Sequence, residues 1–325
     1  MPTDMIDCQS HILSAEFVDL LEKRNESPHI LRHNGERFLI VNGWRRKLLP
    51  ALLDISEKLR AMDRTGISMA ALSMNDPGPE LFGDDSNAVA VMNNDYIAQV
   101  CAAHPTRFFG LAALPFDTPD AMLQEFDRAT GKLGMKGILL YSNLNGHFPD
   151  EEPFRQLFAE AEKRGIPVLL HPARPVTLDA TRDYDMSTMI GMLFDTTIAL
   201  LRLILSGVME QHPNLKLVCP HVGGALPYLI GRVDYQTAVM KRGGDRIRQP
   251  PSEYLKRVWF DTVTQSPQAI RYALEFSGGD KLLFSSDHPW VQPQAIIDAV
   301  EGASLSEEQK LKIYSGTART LFQLP

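Results

Sequence analysis

Four histidines and one aspartate hold the chemistry that this sequence could do. His11, His171, His221 and His288, with Asp287 beside the last, each stand at or just past the end of a short apolar run: "MIDCQSHILS", "IPVLLHPA", "LKLVCPHVGG" and "LLFSSDHPW". Imidazole nitrogen together with carboxylate oxygen is a donor set for Zn²⁺, Mn²⁺ or Fe²⁺. A cation held this way can lower the pKa of bound water toward ~7 and so make a hydroxide for hydrolysis. It can instead chelate a carboxylate and a neighbouring hydroxyl, holding an acid for loss of CO₂. Any one of these histidines alone reads more simply as a satisfied polar residue. Four of them with a carboxylate on one rim read as a site. The remaining histidines have plainer roles. His104 and His212 precede prolines at helix ends, where the helix dipole favours positive charge. His29, His33 and His147 lie in connections, with no spacing that pairs them.

The elements that would position these residues follow from periodicity. Short apolar runs over 5–8, 68–74, 108–114, 137–141, 167–171, 215–221, 258–261 and 281–286 read as eight strands. Between most of them lie helical patterns. "NAVAVMNNDYIAQVCAAHP" repeats its apolar residues every three or four positions and stops at proline, and "EPFRQLFAEAEKRG" stops at glycine. "TTIALLRLILSGVMEQHP" is more apolar throughout and is expected to be more buried. Parallel strands need such crossovers, so eight units in series predict a closed (β/α)₈ barrel, whose site lies at the C-terminal strand ends. An open doubly wound sheet is the alternative, but no glycine-rich dinucleotide fingerprint follows the first strand. Residues 27–50 interrupt the first unit with an expected hairpin, "ERFLIV" followed by "NG", and a methionine-rich stretch over 186–194 follows the fifth strand. The whole chain is expected to be one barrel domain. Strand alternation places Gln9 and His11 on one face, toward the mouth, with Cys8 turned away against a helix. Cys219 shares parity with His221 one layer deeper, as a small core residue.

Composition narrows the partners. The chain has 325 residues, 44% hydrophobic and 22% charged, enough for a large core, and a formal net charge of −7. The 33 Lys and Arg form no basic tract, which argues against nucleic acid. No apolar run reaches the ~18 residues of a membrane span, and the start lacks signal-peptide sections. Three scattered cysteines suit a reducing cytoplasm rather than a disulfide framework.

With these residues in view, the chain resembles the second amidohydrolase family, which includes aminocarboxymuconate-semialdehyde decarboxylase and related nonoxidative decarboxylases. The matching segments are "IDCQSHILSAEFVDLLEKR", "GMKGILLYSNLNGHFPDEEPFRQLFAEAEKRGIPVLLHPA", "LILSGVMEQHPNLKLVCPHVGGALPYLIGRVD" and "LLFSSDHPW", in the family's order and over nearly the whole chain. The resemblance implies a distorted (β/α)₈ barrel with one divalent metal, Zn²⁺ or Mn²⁺. It implies His11, His171 and Asp287 as ligands, with Gln9 where the family has the first residue of His-x-His or Glu-x-His. His221 would then stand beside the metal as acid or base, with Asp287 as the second proton-handling group. No lysine fits the fourth strand end, since Lys136 comes at that strand's start, so a mononuclear site is implied. Gln9 is the departure: a carboxamide oxygen is neutral and a weaker donor than imidazole or carboxylate, and it could equally hydrogen-bond a substrate or water.

A carboxylic acid substrate needs an anion site. Arg45 and Arg46 beside Trp44 are candidates, an arginine fork for the carboxylate and an indole over the ring. His288 is a further candidate at the substrate. Met186, Met189 and Met192 read as a hydrophobic wall. In the resembled decarboxylase a neighbouring subunit lends an arginine after the sixth strand, which implies a homodimer and points to Arg242. Three functions remain open: a metal-dependent decarboxylase of an aromatic or unsaturated carboxylic acid, which leads on resemblance; a metal-dependent hydrolase of a lactone, ester or amide; and a barrel that has lost its metal through Gln9.

Overall fold

The computed structural model describes residues 4–325. Its strands are β1 (Ile6–Asp7), β2 (His29–His33), β3 (Glu36–Val41), β4 (Trp44–Lys47), β5 (Met69–Leu72), β6 (Phe108–Ala112), β7 (Gly137–Tyr141), β8 (Val168–His171), β9 (Leu217–Cys219), β10 (Trp259–Asp261) and β11 (Leu282–Leu283). Eight of them form one parallel sheet in the order β1-β5-β6-β7-β8-β9-β10-β11. Backbone hydrogen bonds from Cys8 N to Phe284 O, Asp287 N to Gln9 O and His11 N to His288 O, each 2.9 Å, join the last strand to the first. The fold is the expected distorted (β/α)₈ barrel.

Local sequence explains the crossovers. Asp54 caps the helix Ile55–Thr65 by accepting from Ser56 N and Glu57 N, and Gly66, at φ 77°, ends it in the left-handed conformation. Gly165 ends the helix Arg155–Arg164 in the same way. Each strand has two faces. Ala70, Leu72, Ile138, Leu140, Leu170 and Phe284 join the large core with the helices. Residues of the other parity, such as Ile6, Ala71, Phe109, Leu169, Val218 and Leu283, form a second cluster inside the barrel. Leu321 and Phe322, from the last helix Thr317–Phe322, close that cluster, with the Phe322 ring tilted against Phe109 at 5.1 Å between centroids. Cys8 belongs to this inner cluster, not to the layer under the surrounding helices where alternation placed it.

Within residues 27–50, β2, β3 and β4 make an antiparallel sheet. Asn34-Gly35 and Asn42-Gly43, all at positive φ, form its two turns, as two-residue hairpin turns require. β2 escapes notice in the sequence because "HILRH" buries only Ile30. The helical run Asp183–Leu205 is apolar and long enough by composition to match a membrane span. Here Ala199, Leu200, Leu203 and Ile204 face the core. Asp195, in its middle, accepts from Asn143 Nδ2 (2.7 Å), Val176 N (2.9 Å) and Ser142 Oγ, tying down the connections after β7 and β8.

Candidate metal centre and its pocket

The first strand reaches the site through a bulge. Ile6 pairs with Met69 and His11 with Ser73, so five residue steps on one strand oppose four on the other. Ile6 faces the interior, and strict alternation would turn His11 outward. The extra residue reverses the parity, which is how a bulge re-aims a side chain. Gln9 and His11 therefore share the barrel mouth, as expected, while Ser10 points out.

Among the described residues, His11, His171 and Asp287 converge with their ligand atoms within 4.8 Å of one another. His11 Nε2 lies 3.0 Å from both Asp287 Oδ1 and His171 Nε2. His171 Nδ1 donates to Pro172 O at 2.8 Å, which leaves its Nε2 lone pair facing inward. Ser73 Oγ meets His11 Nδ1 at 3.0 Å and orients that ring. Three acceptors thus meet in a buried space, and a single proton on His11 Nε2 serves only one neighbour at a time. A divalent cation serves all three, so the residues fit one, and each imidazole already has the outer partner that metal-ligating histidines need. Gln9 Nε2 donates to Asp287 Oδ1 at 3.1 Å, and turning the amide over would present Oε1 to the same point.

The electrostatics agree with this arrangement. Burial alone would raise the Asp287 carboxyl, but His11 and His221 hold it well below the usual carboxylate range. Burial pushes His171 down, keeping it neutral. His221 Nε2 stands 3.9 Å from Asp287 Oδ2, an ion-pair distance, and the acidic neighbours outweigh burial and raise its pKa. Its loop is tightly built. Asp261 accepts from His221 N at 2.6 Å and from Val263 N at 3.1 Å. His221 and Val222 take φ values of 55° and 50°.

A pocket of about 940 Å³ opens above, lined by His171, His221, Asp287, Trp44, Arg45, Arg46, Asn75, Met189, Met192 and Trp290, among others. Arg46 lies 4.3 Å from the Trp44 ring and 5.4 Å from the Trp290 ring, and pairs with buried Asp76. Arg45 stacks 3.7 Å over Phe38 at the rim. Met186 does not line the pocket, whereas Met189 and Met192 do. One expected substrate contact lies elsewhere. His288 is buried on the outer side of its strand end, with Nδ1 3.0 Å from Lys58 Nζ, because alternation after Asp287 turns it out of the barrel. Arg242, expected to serve a neighbouring subunit, is exposed on its own chain and bonded to Gln236 Oε1 at 3.0 Å. Sequence reasoning missed Asn75, which accepts from Trp290 Nε1 at 3.1 Å. The polar turn "NDPG" after the second barrel strand was its available signal. It also missed Asp261, whose signal was an acid at the end of the seventh strand.

Comparison with known proteins places the chain. An amidohydrolase family model matches residues 6–324. Gamma-resorcylate decarboxylase of Rhizobium sp. (strain MTP-10005) is 31% identical over 94% of this chain and 97% of its own. The structure of 5-carboxyvanillate decarboxylase from Sphingomonas paucimobilis superposes with a TM-score of 0.88 at 26% identity, covering all of both chains. A dihydroxybenzoic acid decarboxylase from Polaromonas sp. JS666, with bound manganese and 2-nitroresorcinol, matches with a TM-score of 0.81 at 26% identity, over 99% of this chain and 97% of that one. With the barrel, the bulged first strand and the histidine–aspartate cluster in place, this chain belongs to the amidohydrolase family, among relatives that are metal-dependent nonoxidative decarboxylases of aromatic acids.

Proposed function

We propose that this protein is a metal-dependent nonoxidative decarboxylase of a small hydroxylated aromatic carboxylic acid. The observation that carries the reading is the convergence of His11, His171 and Asp287 at the base of a pocket walled by Trp44 and Trp290. His11, His171 and Asp287 would hold the cation, and Gln9, beside Asp287, would either turn its amide oxygen to the same point or face the substrate. Zn²⁺ and Mn²⁺ both suit this donor set, and manganese occupies the Polaromonas relative. When bound, the cation supplies positive charge against which a carboxylate and its ortho hydroxyl are held.

The protein's own groups do the rest. Trp44 and Trp290 cover the ring, and Arg45 stands at the rim for a carboxylate. Arg46 is already paired with Asp76, so its part is to hold the indoles in place. His221, whose pKa Asp287 raises, faces the pocket as the general acid that gives a proton to the ring carbon bearing the carboxylate. The C–C bond then breaks, its electron pair returns to the ring, and CO₂ leaves. The sum is ArCOO⁻ + H⁺ → ArH + CO₂. We further propose that residues 1–325 act as one barrel domain with the 27–50 insertion as a wall of the pocket. We also infer a cytoplasmic homodimer. The free cysteines Cys8, Cys101 and Cys219 support the first part. The exposed Tyr228, Tyr235, Val239 and Met240, on the helical segment leading to Arg242, support the second.

The test is a panel of hydroxybenzoates assayed for CO₂ release beside lactones assayed for acid release, using protein loaded with Mn²⁺ or Zn²⁺. Decarboxylation that disappears in His221→Asn supports the reading. Lactone turnover with no CO₂ from any acid replaces it with a hydrolase.

A further inference from the structure

A polar cluster sits behind the strand ends that carry His11 and Asp287, between the barrel wall and the helix Ile55–Thr65. Its centre is Lys58, on that helix's inner face with Ala61, Met62 and Thr65, and only 1% exposed. Lys58 Nζ donates to Ser10 Oγ at 2.6 Å and to His288 O at 3.4 Å, and meets His288 Nδ1 at 3.0 Å. Asp7 accepts from Ser286 N (2.9 Å), Ser286 Oγ (2.5 Å) and Gln9 N (3.2 Å). Ser286 Oγ accepts in turn from His288 N at 3.2 Å. Asp7, Ser10, Ser286 and His288 are all buried.

This position is costly for an ammonium. A buried charge is stable only when its hydrogen bonds are met, and methionine would fill similar space. What the ammonium adds is a link between two segments. Ser10 lies between Gln9 and His11, and His288 follows Asp287. The seam they share is otherwise held by the backbone bonds from Cys8 N to Phe284 O, Asp287 N to Gln9 O and His11 N to His288 O and by Asp7 to Ser286, and none of these reaches it from the surrounding helices. β1 and β11 are two residues each, the first strand is bulged, and Asp287 takes a φ of 59°. A non-glycine residue persists in that region only where its surroundings over-determine it.

We propose that Lys58 is a positioning residue for the metal site. From behind the barrel wall it ties the Gln9–His11 segment to the Asp287–His288 segment, and so fixes the approach of His11 Nε2 to Asp287 Oδ1. The inference rests on the reading that His11, His171 and Asp287 bind a cation. A merely structural lysine would change stability and leave the affinity of the folded protein alone.

The experiment is Mn²⁺ titration of wild type, Lys58→Met, Lys58→Arg and Ser10→Ala, followed by the paramagnetic resonance of free Mn²⁺. Thermal melts of the metal-free proteins score folding. Loss of a ligand's own hydrogen-bond partner typically costs 10–100-fold in metal affinity, and Lys58 stands one bond further out, so about 10-fold applies. Lys58→Met is expected to weaken Mn²⁺ binding by about that much, Lys58→Arg to restore most of it, and Ser10→Ala to lose less in the same direction. If folded Lys58→Met binds Mn²⁺ as tightly as wild type, the proposal is overturned. Tighter binding overturns it too, since the ammonium would then act only as a repelling charge. If Lys58→Met does not fold, Ser10→Ala decides in the same way, unchanged affinity overturning the proposal. A wild type that binds no Mn²⁺ overturns the metal-site reading itself, a result distinct from a defect confined to the variants.

Discussion

At the residue scale three donors, His11, His171 and Asp287, converge, and Gln9 stands beside them as a fourth position. His171→Ala and Asp287→Ala each remove a donor from a buried set of three. Each is expected to weaken metal binding by more than about 100-fold while leaving the barrel folded, measured by competition with a chromophoric chelator. Gln9→His tests the fourth position. If the carboxamide ligates, imidazole there tightens binding by about 10-fold; unchanged affinity with lost turnover assigns Gln9 to the substrate. A separate residue gives a pH signature away from the metal. Burial, with Asp76 nearby, pushes the Glu80 carboxyl from 4.5 up to about 8, and its Oε2 is buried without a partner. The folded protein keeps that proton while the unfolded chain releases it. Stability from this group is therefore full below about 4.5, falls as pH rises toward about 8, and is level beyond. Urea midpoints across that range should flatten in Glu80→Gln; equal slopes in both proteins would show that Glu80 ionises freely in the fold.

At the element scale the site depends on strand ends that break their own regularity. The turn after β9 holds His221 against Asp261, and Gly224 closes it at φ 62°, ψ −130°. A Cβ at Gly224 would meet Thr197 Oγ1 at 2.6 Å and Leu193 O at 2.7 Å. Gly224→Ala is thus expected to cost about 3 kcal/mol in a denaturation experiment, through both strain and overlap. A loss below ~1 kcal/mol would mean that the turn relaxes freely. These irregularities also mark what the sequence made legible. The eight strands stood out because each apolar run is short and bounded by turn residues. His11, His171, His221 and Asp287 stood out because each closes such a run. The bulge before Gln9 was hidden, since nothing in "IDCQSH" marks an extra residue. Counting by twos therefore matched Gln9 with His11 but sent Cys8 to the wrong layer. His288 misled for a related reason: adjacency to Asp287 in sequence means the opposite face in space. Lys58 and Asp76 were invisible because charged residues on helices and turns ordinarily face water.

At the scale of the whole molecule, the barrel is closed at one end by apolar packing and worked at the other by polar convergence. Phe322 is 2% exposed in the floor beneath Phe109. Phe322→Ala should cost about 3–5 kcal/mol in stability with metal affinity unchanged in the folded protein, because cavity and site are at opposite ends. Binding of a cation to the folded state alone should stabilise the entire barrel. At a metal concentration 100 times its dissociation constant the gain is about 2.7 kcal/mol, which a chelator should remove reversibly in thermal melts. The central claim joins metal, pocket and chemistry, and one measurement addresses all three. Mn²⁺-loaded protein is mixed with ortho-hydroxybenzoic acids, and loss of acid is followed together with CO₂ release. The account predicts equal amounts of each for at least one acid, abolished by chelator and by His171→Ala. A protein that binds its metal fully yet releases no CO₂ from any acid in the panel would contradict it.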